Sequence, residues 1–365
     1  MLQENFSGLG YTKGSFRGIK MTKICIFGAG AIGGYLAHSL HKGGAEISLI
    51  ARGSHLYKIK EKGLTLITEG KKNTIHFKAT DTPEELGPQD YIICSLKAHS
   101  LAVVIDRFKS LIDSETAIVP AVNGIPWWYF HKANSGTKME NKWLQSVDPN
   151  GKIWKTLGPE RAIGCVVYPA CETVSPGTII HKGGNRFSLG EPNGQKSKRV
   201  DRLSKLMRKG GLHAPIKSRI RDEIWIKLWG NCSFNPVSAL TGASLDQIGN
   251  NAASRSIIRD AMLECKKVGE AVGAKFFIDL EARIDGATKL KGHKPSTRQD
   301  IELGRPMEID ALTSTVLELA RKLKINTPIL DTLATLLRVQ GASLGLYQVD
   351  PKIEISILPT HREKT

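Results

Sequence analysis

Residues 23–40 read KICIFGAGAIGGYLAHSL, and this stretch decides how the first half of the chain folds. A short apolar run, Ile24 to Phe27, leads into Gly28, Gly30 and Gly33, and a helical pattern follows. That is a complete GxGxxG in the strand-turn-helix setting it requires. Each glycine has its own reason. Gly28 makes the tight turn, Gly30 lets backbone approach a pyrophosphate, and Gly33 lets helix pack close on strand. The loop Gly28, Ala29, Gly30, Ala31, Ile32, Gly33 then presents a helix N-terminus to an anion.

Further strands follow from this one. EISLI at 46–50 is the second, and its end selects the dinucleotide. An NAD-type site wants Asp or Glu there for the ribose 2′-hydroxyl, whereas this chain offers Arg52, Ser54 and His55. The planar fork of Arg52 suits a 2′-phosphate, so the expected cofactor is NADP(H). YIICSL at 91–96 ends in Lys97, and AIVPAV at 117–122 ends in Asn123 and Gly124. Both polar residues fall at C-terminal strand ends, the edge where open α/β sheets bind ligands. Lys97 is a candidate cofactor contact, and Asn123 a candidate nicotinamide or substrate contact.

Next come IPWWYF at 125–130 and a long polar stretch to about 150, read either as a lid or as a packing insertion. Residues 162–190 look like short strands between Gly and Pro turns. Helical periodicity then dominates over 196–209, 218–240, 254–272, 308–323 and 328–342. The expected class is α/β, an N-terminal Rossmann-type dinucleotide-binding domain followed by an all-helical C-terminal domain. The expected divisions are an extension over 1–20, a cofactor domain over 21–210, a helical substrate and catalytic domain over 211–350, and a tail over 351–365. Ligands are expected in the cleft between the domains.

At 365 residues, two domains are the natural expectation. No apolar run approaches the roughly 20 residues needed to span a bilayer, and the first twenty residues carry no apolar signal core, so a cytoplasmic location without membrane attachment is expected. The six cysteines, Cys25, Cys94, Cys165, Cys171, Cys232 and Cys265, form no CxxC pair and have no histidine cluster nearby. They read as buried thiols rather than disulfides or metal ligands. A net charge of +17 fits either a nucleic-acid partner or an enzyme with anionic ligands. The basic residues are scattered in pairs such as Lys71-Lys72, without a basic arm or a nucleic-acid motif, which favours the enzyme.

The second decisive stretch is EIWIKLWGNCSFNPVSAL, 223–240. Lys227 stands among Trp225, Ile226, Leu228 and Trp229, where burial of an ammonium is costly without partners. Asn231 and Asn235 follow at i+4 and i+8 and share its helix face. One reading is a snorkelling lysine with two asparagines at the helix end; the other is a polar catalytic stripe.

Taken in order, IFGAGAIGG, SLKAHS, VNG, EIWIKLWGNCSFNPVSAL and KPSTRQDIELGRPMEIDAL resemble the ketopantoate reductase family from about Lys23 to the C-terminal helices. The resemblance implies reduction of a small 2-oxo acid by NADPH, with 2-dehydropantoate as the substrate of the family and pantothenate and coenzyme A synthesis as its destination. It implies Lys227 as proton donor, Asn231 and Asn235 as substrate-binding residues, and Ser296 as a serine that holds the substrate. It implies Glu308 near cofactor and substrate, Lys97, Asn123 and Ala170 as cofactor contacts, and a possible homodimer. No metal is implied. Burial would lower the Lys227 pKa while Glu308 would oppose that drop. The chain departs from the family pattern at His293, at Ser244-Leu245, in ALTSTV after MEID and in STRQD, all of which bear on substrate identity. The alternatives are a reductase of another 2-oxo acid, or a non-catalytic NADPH-binding regulator.

Overall fold

The structure, a computed structural model, describes residues 21–358. The expected extension over 1–20 lies outside the described residues. The chain opens with β1 (Lys23–Phe27), α1 (Ala31–Lys42), β2 (Glu46–Ile50) and α2 (Gly53–Lys62). β3 (Leu64–Thr68), β4 (Lys71–Ile75), β5 (Lys78–Thr80), β6 (Tyr91–Cys94), α3 (Ala98–Val104) and β7 (Ala117–Pro120) follow. After a long irregular stretch come α4 (Lys152–Leu157), β8 (Gly164–Val167), β9 (Ala170–Ser175), β10 (Thr178–Gly183), β11 (Phe187–Gly190) and α5 (Lys198–Lys209).

The main sheet is parallel in the order β5-β2-β1-β6-β7, and its register sets Phe27 opposite both Ile50 and Cys94, and Cys94 opposite Pro120. The strands therefore end level, and Gly28, Arg52, Lys97 and Asn123 all emerge at one edge. The chain reverses direction through the sheet at β1, which makes that edge the topological switch point. Near-continuous apolar runs are what a sheet covered on both faces demands; Ile24, Cys25, Ile26, Ile92 and Ile93 have no exposed surface. α1 is pinned between this sheet and a second one, β4-β3-β10-β9, and buries every residue from Gly33 to Leu40. Gly34 allows the approach, since a Cβ there would lie 2.0 Å from Ile179 Cδ1.

The second half is helical: α6 (Ile220–Asn231), α7 (Phe234–Thr241), α8 (Leu245–Asn250), α9 (Ala252–Ala271), α10 (Leu280–Thr288) and α11 (Ser296–Glu302). A π-helical turn, Asp310–Ser314, runs into α12 (Thr315–Lys322), followed by α13 (Pro328–Ser343) and α14 (Pro351–Ile357). Among the described residues no helix is long and apolar enough to cross a membrane.

Helices α8, α10 and α11 lie outside the helical stretches read from the sequence. The helix expected over 218–240 breaks at Cys232-Ser233. Pro236 has no N–H to continue the ladder and instead sits in the first turn of α7, where none is needed. Ser233 Oγ donates to the carbonyl of Trp229 across the break. Of the two readings of the aromatic segment, the packing insertion is the one found: Trp127, Trp128, Tyr129 and Phe130 are buried, and Tyr129 OH accepts from Trp225 Nε1 at 2.7 Å. Buried Glu318 anchors the stretch further on, accepting from Gln145 N and from Ser146 N and Oγ. Part of the expected tail is α14. Asp350 caps it, Pro351 starts it, and Ile353 and Ile357, one turn apart, are buried. Five of the six cysteines are buried and all are free, as expected of structural thiols.

Candidate active site

At the switch point the glycine loop is shaped by what a side chain would strike. Gly28 has φ +103, a conformation that favours glycine, and a Cβ there would lie 2.8 Å from Leu96 Cδ2. A Cβ at Gly33 would lie 2.1 Å from Gly28 O and 2.4 Å from Ser95 Oγ. Gly30 is different: nothing lies within 4 Å of the position a Cβ would take. Gly28 N and Ala29 N donate to Ile50 O at 3.0 and 3.1 Å, which fixes the loop to the end of β2. The amides at the start of α1, from Ala31, Ile32 and Gly33, carry no intrahelical obligation and are available to an anion. His55, which sequence reasoning noted only as a non-acidic residue, locks this arrangement. Its Nδ1 accepts from Gly177 N at 3.0 Å, so Nε2–H donates to Ala29 O at 2.7 Å.

A cavity of about 1140 Å³ opens over the loop. Its walls include Gly28, Ala29, Gly30, Arg52 and His55 on one side and Glu308, Asp310, Ala311 and Tyr347 on the other. Arg52 is exposed and precedes the first residue of α2. Glu308 Oε1 accepts from Ala98 N at 3.0 Å, which ties the two halves together above the sheet edge.

Lys227 Nζ donates to Asn123 Oδ1 at 2.6 Å and to the carbonyl of Val167, and lies 5.8 Å from the Tyr168 ring centroid. It does not snorkel. With Asn123 it lines a separate space of about 20 Å³ bounded by Trp128, Cys165 and Ile224. Burial brings the Lys227 ammonium from an ordinary 10.5 down to about 8, against the opposing pull of Glu308. Cys165, whose thiol is pushed up to about 12 by burial, stays neutral beside the lysine. Asn123 owes its position to Gly124, at φ +84, where any Cβ would fall 2.0 Å from Ala311 O in the π-helical turn.

The remaining candidates are distributed as follows. Asn231, half-buried, lies one turn beyond Lys227 on α6. Asn235 is buried on α7, and its Nδ2 donates to Thr297 Oγ1 at 3.3 Å, next to exposed Ser296 at the start of α11. Ala170 is exposed at the start of β9, three residues after Val167. Lys97 differs from expectation: its Nζ donates to Pro306 O at 2.6 Å and pairs with Asp300 at 2.7 Å, so it braces the helical half and does not line the large cavity. Tyr168 was missed because it follows β8, which pairs antiparallel with β11 outside the parallel sheet, where the rule that selected Lys97 and Asn123 does not reach. The Val167 contribution is a backbone carbonyl, for which residue type carries no signal. Leu245 N donates to His293 O at 3.1 Å, so two of the departures from the family pattern meet at one point.

A glycine cradle at the switch point, a basic residue ending β2 and a half-buried lysine of depressed pKa facing that edge define a dinucleotide-dependent oxidoreductase of the two-domain, Rossmann-plus-helical kind. The family model described as ketopantoate reductase PanE/ApbA matches residues 24–194, and that of its C-terminal part matches 219–340. The chain belongs to the ketopantoate reductase family. It is 49% identical to a 2-dehydropantoate 2-reductase of Mesorhizobium japonicum over 89% of this chain and 99% of that one. A crystal structure described as a candidate ketopantoate reductase of Ralstonia solanacearum is 39% identical, with a TM-score of 0.85 over 90% of this chain and all of the other. D-mandelate dehydrogenase in complex with NADH and anilino(oxo)acetate superposes with a TM-score of 0.77 over 89% of this chain and all of the other, and at 23% identity speaks to the fold alone.

Proposed function

We propose that this protein reduces 2-dehydropantoate to (R)-pantoate with NADPH, a step toward pantothenate and coenzyme A. The observation that carries the reading is the Lys227 ammonium, bonded to Asn123 at the sheet edge and brought to about 8, where it can both hold and release a proton near neutral pH. The residues fit a dinucleotide. Gly30 faces open space, Gly28 to Gly33 offer helix-start amides, and Arg52 lines the same cavity, which supports a contact to a 2′-phosphate. The cofactor supplies hydride. As hydride reaches C2, charge develops on the carbonyl oxygen; Lys227 stabilises it and delivers a proton. Asn123 orients the ammonium, Asn231, Asn235 and Ser296 hold the substrate, and Glu308 fixes the loop at Ala98. The test is NADPH oxidation with a panel of 2-oxo acids; no turnover with any of them would refute the reductase.

Arg52, exposed where β2 gives way to α2 and lining the large cavity, is the residue we expect to select between the two dinucleotides. Arg52→Ala is expected to raise KM for NADPH by about tenfold, one charge-assisted contact, with NADH use unchanged. Equal losses with both cofactors would contradict that role.

The pH dependence follows in sign. The donor is charged below about pH 8, so kcat/KM for reduction should be flat there and fall roughly tenfold per unit above. Pantoate oxidation needs the free amine and should rise through the same value to a plateau. A reduction profile flat to pH 10 would remove Lys227 as donor.

A further inference from the structure

Arg283, on α10, lays its guanidinium against the backbone of α6. A Cβ placed on Gly230 would lie 2.6 Å from Arg283 Nη2. Gly230 is helical and needs no glycine for its backbone; the missing side chain makes room for the arginine. It lies between Lys227 and Asn231, so the guanidinium rests within one helical turn of both.

The acids beside Arg283 on α10, Glu281 and Asp285, are taken by Arg255 and Arg259 of α9. Arg283 itself forms no ion pair among the described residues; burial disfavours its charge, and the Tyr168 phenol is the neighbouring group that opposes this. A desolvated guanidinium without a partner is costly, and an arriving anion relieves that cost. Tyr168 is a fixed wall here. Its hydroxyl donates to Glu223 Oε2 at 3.0 Å, Arg186 stacks on its ring at 4.9 Å, and Lys227 approaches the same ring.

The substrate side has the complementary lack. Asn231, Asn235 and Ser296 offer amides and a hydroxyl, none of them charged. Lys227 gives up its proton during the reaction and cannot hold a carboxylate throughout. Arginine keeps its charge at every working pH, and its fork matches a carboxylate in two parallel bonds.

We propose that Arg283 binds the carboxylate of the 2-oxo acid and so presents the neighbouring carbonyl to Lys227. The proposal rests on the reductase reading, and the experiment separates the two. Wild type, Arg283→Gln and Arg283→Lys are compared in NADPH oxidation with 2-dehydropantoate and with its uncharged primary amide. Calorimetry measures binding of both compounds to the NADP⁺-saturated proteins. Arg283→Gln should raise KM and Kd for the acid by about ten- to a hundredfold, the worth of a charged hydrogen-bonded contact, with a smaller change in kcat. The amide should be unaffected, and Arg283→Lys should recover part of the loss. Equal weakening of acid and amide, or an unchanged Kd for the acid, overturns the carboxylate site. If wild type reduces no 2-oxo acid but binds the carboxylate in an Arg283-dependent way, the reductase reading fails and the site stands. If wild type binds no carboxylate, the site fails.

Discussion

Lys227→Ala is expected to lower kcat by about 10²–10⁴, the usual contribution of a positioned proton donor, while NADPH binding followed by fluorescence persists. The cofactor cradle is built from β1, α1 and β2, and the lysine from α6, so losing one leaves the other in place. Truncation leaves Asn123 Oδ1 and the Val167 carbonyl without their donor, which invites a folding objection. Lys227→Arg answers it: charge and donors remain, but a guanidinium does not release its proton near neutral pH, so kcat should stay low in a folded protein. Stability gives a second readout. The unfolded chain keeps the lysine proton to about 10.5, the folded chain releases it near 8, and the unfolded state therefore binds more protons between these values. The lysine's contribution to stability thus rises with pH across that window, and Lys227→Met should flatten the rise. A fully active Lys227→Ala protein would remove the lysine from the mechanism.

How much of this was legible in the sequence depends on the range of the interactions. The glycine loop and the strands read at 46–50, 91–96 and 117–122, the last two ending two residues earlier in the structure, were readable because apolar runs and turn residues act locally. The level strand ends that gather Gly28, Arg52 and Asn123 follow from the parallel register. Lys227 was legible as an anomaly, a charge amid tryptophans, but not its partner, which is 104 residues away in the chain. Lys97 shows the limit of the strand-end rule. The rule places the residue, but Asp300, contributed by α11, decides where its ammonium points. The same holds for Arg283, whose meaning depends on a glycine that reads as nothing more than a helix-weakening residue in WGN. The segment over 125–150 left two readings open for a related reason: its length and irregularity fit a lid or an insertion alike, and the burial of four consecutive aromatic rings, visible only in three dimensions, decides for the insertion.

Substrate identity carries the other large expected effect. 2-Dehydropantoate has a hydroxymethyl group that 2-oxo-3,3-dimethylbutanoate lacks. A pocket that pairs with that hydroxyl leaves a buried polar group unpartnered when the analogue binds. Such sites reject the analogue by up to about 10⁴–10⁵, whereas an apolar pocket manages roughly 10–200-fold. Asn235 is buried with a single long bond to Thr297 and has hydrogen-bonding capacity to spare, Ser296 stands beside it, and Glu308 keeps one oxygen beyond the bond from Ala98. We expect kcat/KM at least about 10²-fold higher for 2-dehydropantoate, with Ser296→Ala or Glu308→Ala narrowing the gap. Comparable rates with both compounds would sink the assignment to 2-dehydropantoate and leave the proton transfer from Lys227 intact. The site of divergence would then be a definite one. His293 and Leu245, joined by a backbone bond, stand where the family pattern differs, and Ser244 caps α8 immediately before Leu245. A 2-oxo acid with a different distal group would have to be recognised from that corner. Exchanging His293 for the family's asparagine should then shift the ratio of the two rates without touching the pH break near 8.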